Sequence, residues 1–70
     1  MTEYAIVIED AGGNYSAYVP DLPGCVSTGS SINEVTSNIR DAIALHIESL
    51  RENGEAVPPS TSLAGTVQIA

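Results

Sequence analysis

The run from Ser31 to Asn53 reads as one helix with one apolar stripe, and that single stripe limits what the chain can build. At about 100° per residue, Ile32, Val35, Ile39, Ile43, His46, Ile47 and Leu50 fall in one sector, with Ala42 at its edge. Glu34, Asp41, Glu48 and Glu52 fall almost opposite. Ser31 and Glu34 have capping-box spacing, in which hydroxyl and carboxylate satisfy orphan amides. Asn53-Gly54 supplies a stop, and Pro58-Pro59 cannot continue the helix. Such a helix lays its stripe on one face of a sheet and shields that face alone.

The sheet is read from alternation. Residues 3–9, EYAIVIE, place Tyr4, Ile6 and Ile8 on one face and Ala5 and Val7 on the other. Both faces are apolar, which predicts a central strand covered on both sides. DAGGN, 10–14, is a hairpin loop, and YSAYV, 15–19, is the return strand. In PDLPG neither proline belongs inside a ladder, and glycine after proline suits a tight turn. CVSTG, 25–29, is a third strand, and GTVQIA, 65–70, a last one with Val67 and Ile69 on one face. The expected fold is a single α+β domain over residues 1–70, β-β-β-α-β. Its sheet order is 3-2-1-4, with one helix on one face and a right-handed crossover. The uncovered face of the first strand then calls for a second copy of the chain.

Length sharpens that expectation. At 70 residues the core is small, and domains of this size usually add a staple. Cys25 and His46 are the only residues of their kinds, which leaves neither an internal disulfide nor a Cys/His zinc cage. Self-association remains, as a homodimer or tetramer. Two arginines face nine acidic residues, for a net charge of −7. That surface repels phosphate backbones, so direct nucleic-acid binding is not expected, and it suits a basic protein partner. No leader pattern opens the chain, and no stretch approaches the ~20 apolar residues of a membrane span. The lone cysteine fits a cytoplasmic setting.

No catalytic grouping emerges. His46 lies within the apolar sector and reads as a packed histidine. Cys25 has no basic neighbour in sequence and reads as a small core residue. Glu9, Asp10 and Asp21 lack the converging oxygens of a magnesium site, and AGGN lacks the strand-loop-helix context of a phosphate cradle. The chain is read as no enzyme, with no cofactor and no metal. The most specific polar feature is Glu34, Asp41 and Glu48, seven residues apart on the outer helix face, with Leu45 nearby as an apolar anchor. Asp21 and Leu22, held between Pro20 and Pro23, form a second candidate contact surface.

Taken together, YSAYVPDLPGCVSTG, the acidic helix, the Gly-Glu dipeptide and the prolines after it resemble the HicB-type antitoxin domain across nearly the whole chain. The resemblance implies a partial ribonuclease-H-like fold, in agreement with the topology above. It also implies a role: covering the RNA-binding or catalytic surface of a small basic mRNA-cleaving toxin of HicA type. Many relatives continue into a DNA-binding module. This sequence stops at Ala70, so operator binding is not expected. A stand-alone oligomer that senses a small ligand is the alternative.

Overall fold

The β2–β3 connection shows how local chemistry sets the framework. Pro20 and Pro23 each hold the second position of a tight turn, where a fixed φ is an advantage. Leu22 N–H donates to Val19 O at 3.1 Å and Cys25 N–H donates to Leu22 O at 3.1 Å. Gly24 follows Pro23 at φ 83°, a conformation only glycine adopts without strain. Val19 N–H to Cys25 O, 3.2 Å, closes the loop where β3 begins.

The computed structural model describes residues 2–70. Its elements are β1 (Val7–Asp10), β2 (Tyr15–Tyr18), β3 (Val26–Gly29) and α1 (Ile32–Glu52). The strands form an antiparallel sheet in the order β1-β2-β3. Ile8 stands opposite Ala17, and Tyr18 lies between Val7 and Val26. Tyr4, Ile6, Ile8, Tyr15 and Ala17 turn toward the helix, where Val19, Leu22, Cys25, Val35 and Ile39 complete the core.

The helix bounds follow from its caps. Ser31 Oγ accepts the Glu34 amide at 3.0 Å. The reciprocal bond is shifted by one residue: Glu34 Oε1 accepts Ser30 N–H at 2.9 Å. At the other end Glu55 N–H donates to Leu50 O and Gly54 N–H to Arg51 O, the paired bonds of a Schellman cap.

Two expectations are corrected. The described residues contain three strands, not four: residues 65–70 form no ladder. The first strand is therefore at the sheet edge rather than its centre, and its pairing starts at Val7 rather than at residue 3. Alternation marks a segment that can pair, without saying which edge will accept it. The helix stripe is also less covered than its pattern implies. Four-residue strands span ~13 Å, whereas the 21-residue helix spans ~32 Å. The helix overhangs the sheet, so only Val35 and Ile39 are fully enclosed on it, and Ile32 is 54% exposed.

Helix and sheet lie in close contact at Gly29. A Cβ built there would lie 2.5 Å from Val35 N and 2.8 Å from Val35 Cα, both backbone atoms that cannot swing aside. Gly29→Ala should therefore destabilise the fold by about 1–3 kcal/mol, read as a lower urea midpoint. An unchanged midpoint would show that α1 can lift from β3 freely.

Candidate interaction surface

The stiff β2–β3 turn aims its two central side chains in different directions. Leu22 is fully enclosed in the core, so its expected place on a contact surface is corrected: its side chain faces the helix. Asp21 turns toward the segment after the helix. Asp21 Oδ2 accepts the amides of Thr61 and Ser62 at 2.9 Å each. Asp21 Oδ1 accepts their hydroxyls at 3.0 and 2.8 Å. These bonds, the Ser62 amide first, lower the Asp21 carboxyl from its ordinary 3.8 to about 2. A second tie joins the same segment to the start of the chain, where Tyr4 OH donates to Pro58 O at 2.6 Å.

A depressed carboxyl pKa gives the sign of the pH effect. The Asp21 anchor is fully formed above the ordinary value of 3.8 and is lost as pH falls through about 2. In NMR titrations the Thr61 and Ser62 amide shifts should move with a midpoint near that lower value. Asp21→Ala should abolish the transition. A midpoint at the ordinary carboxylate value would mean that the bonds are not held in solution.

The outer face of α1 carries the other sequence-predicted residues. Glu34, Asp41, Leu45 and Glu48 are all exposed, Leu45 at 67%. Asp41, Leu45, Glu48 and Glu52 follow one another at helical spacing, so one apolar group sits inside a row of carboxylates. Glu34 differs from the rest, because one of its oxygens is already engaged in the cap. Asp21 and this ridge belong to different elements, the β2–β3 turn and α1.

Sequence reasoning missed two features. Between the segment that precedes β1 and helix α1 lies a groove of about 340 Å³, lined by Tyr4, Ile6, Thr36, Ile39, Arg40 and Ile43 among others. Beyond the Asp21 anchor, Leu63, Val67 and Ile69 are 95%, 84% and 83% exposed. The polar cluster STS at 60–62 was the available signal for the anchor, but nothing local ties it to a residue 40 positions earlier. Cys25 is buried, and desolvation pushes its thiol pKa up, as suits a core residue. No group of three His, Cys, Asp or Glu side chains able to hold a metal is present among the described residues. No described helix is long and apolar enough to cross a membrane.

Comparison with known proteins follows the same lines. The chain is 40% identical over 60 residues to an uncharacterized 14.9 kDa protein of Haemophilus phage HP1. That match covers 86% of this chain and 45% of the phage protein, so the chain spans less than half of that relative. It is also 40% identical to the UPF0150 protein Ta0767 of Thermoplasma acidophilum, over 83% of this chain and 84% of that protein. Among solved structures, it superposes on a chain of a HicA3 and HicB3 toxin-antitoxin complex with a TM-score of 0.74 and 32% identity. That superposition covers 84% of this chain and 70% of the other. It superposes on the N-terminal domain of Burkholderia pseudomallei antitoxin HicB with a TM-score of 0.72 and 41% identity, over 83% and 69% of the two chains. The family model for the HicB-like antitoxin of bacterial toxin-antitoxin systems matches residues 4–69. By this match over nearly its whole length, and by its likeness to the solved antitoxin domain, the chain belongs to the HicB-like antitoxin family.

Proposed function

We propose that this chain neutralises a small basic mRNA-cleaving toxin of HicA type, as a binding module without catalysis of its own, in the cytoplasm. The outer face of α1 docks on the toxin's RNA-binding or catalytic surface. A surface that binds RNA must be rich in Lys and Arg, and a row of carboxylates on a rigid helix competes for the same charges. The observation that carries this reading is the exposed series Asp41, Leu45 and Glu48. It combines charge for steering with one apolar group for a desolvated centre. The likeness to a chain from a toxin-antitoxin complex supports it. Asp21 is a second contact, held rigid by its turn, and the acting species is a homodimer or tetramer.

Co-expression with a small basic toxin of HicA type should restore growth of arrested cells and yield a complex that co-purifies. The complex should weaken steeply with salt, because exposed charges are screened over about a Debye length. A toxin that arrests growth equally with and without this chain would overturn the reading.

A further inference from the structure

We infer that the open edge of β1 and its lead-in takes an extended segment of the toxin as an added strand, and that this segment alternates apolar and basic side chains. Resting on the toxin-binding reading, it adds a contact beside the helix ridge. β1 pairs only with β2, and residues 2–6, which lead into it, join no ladder. Such an edge offers a row of free N–H and C=O groups to an incoming chain. Helix α1 packs chiefly on β3 and then on β2, which leaves the groove between Tyr4, Ile6 and the Ile39–Ile43 turn of the helix open. An added strand lies with its backbone on the edge and one row of its side chains in that groove.

The two rows of such a strand meet different chemistry, because its side chains point alternately to opposite faces. On the helix side they meet Tyr4, Ile6, Ile39 and Ile43, with the exposed Arg40 at the rim. Apolar groups fill this row, and a cation placed there would face the Arg40 guanidinium. On the other side the alternate residues of this chain are Glu3, Ala5, Val7 and Glu9, and both carboxylates are exposed. Lys or Arg in that row pairs with them across the strands. A basic partner can supply those residues. The chain's own residues 63–70 cannot, since they carry no charged side chain.

The groove also adjoins the acidic ridge. At about 100° per residue, Ser37 and Ala44 fill the sector between Arg40 on the groove wall and Asp41 and Glu48 on the ridge. Both are small and exposed, so no bulky side chain separates the two surfaces. One partner can lie against the ridge and reach the edge with an extended segment.

Hydrogen exchange on the full chain, with and without a HicA-type toxin, tests the inference. Among residues 4–9, the amides that do not bond β2 should exchange freely in the chain alone and become protected when the toxin is added. Glu9→Lys should weaken toxin binding at least about tenfold. Glu55→Lys makes the same change in net charge beyond the helix end, and it should lower affinity far less. Circular dichroism checks that both variants fold. A toxin that binds tightly while those amides still exchange freely would overturn the added strand and leave docking on the ridge standing. Equal losses for the two variants would also overturn it, since net charge alone would then govern binding. Protection already present without toxin would mean that the chain's own segment or a second copy fills the edge, against the inference. No binding of the toxin at all would overturn both readings.

Discussion

Leu22→Ala should remove about 2–5 kcal/mol of folding stability. A 70-residue domain holds roughly 4–10 kcal/mol in all, so this one substitution should remove a large share of the total. Three observations place the effect at the upper end. Leu22 is fully enclosed. It packs in the same cluster as Ala17, Val19, Cys25, Val35 and Ile39. Its backbone is fixed on both sides, donating to Val19 O and accepting from Cys25 N–H. A loop held by two successive proline turns cannot collapse into the cavity left behind, so little of the loss is recovered by relaxation. Urea denaturation followed by circular dichroism reads the shift. A midpoint equal to that of the parent would show that Leu22 packs loosely. Leu45→Ala is the matched control: its side chain is largely solvated, and stability should change by less than about 0.5 kcal/mol.

Charge reversal of the helix ridge should have the largest effect on binding. D41K/E48K replaces two exposed carboxylates on one face with ammonium groups. Against a basic toxin this loses two attractions and adds two repulsions, and like charges set together cost several kcal/mol. Affinity should fall at least about a hundredfold, ~2.7 kcal/mol. Both residues are exposed and away from the caps, so the fold should be unaffected. Glu34 is left in place, because its carboxylate holds Ser30 N–H and its loss would fray the helix start. Leu45→Ala should weaken binding further while leaving stability alone, the pattern expected of a contact residue rather than a packing one.

What could be read from the sequence was whatever is encoded by neighbours. The helix was expected from about Ser31 to Asn53 and is found at Ile32–Glu52, because caps are made by residues within a few positions of each other. The PDLPG turn was legible for the same reason: proline and glycine fix φ where they stand. The acidic ridge and its exposure follow from helical period alone. Side-chain direction inside the turn was not legible. Asp21 and Leu22 are adjacent, equally constrained by the prolines, and end in a surface anchor and the core respectively. Long-range pairing was not legible either. The Asp21 tie to Thr61 and Ser62 and the Tyr4 tie to Pro58 span 40 residues or more. The alternation of residues 65–70 reads as a strand, but those residues form no ladder, and the sheet of the described residues has three strands. The β1 face pattern held while its position did not. Tyr4, Ile6 and Ile8 do face the helix, yet an edge and a centre strand with the same apolar residues look alike in sequence.

The most direct measurement is a calorimetric titration of the basic HicA-type toxin into the parent chain and into D41K/E48K, at low and at moderate salt. Docking through the acidic helix face requires tight, salt-sensitive binding by the parent and at least a hundredfold loss in the folded variant. Equal affinity for the two chains, or no binding by the parent, would contradict it.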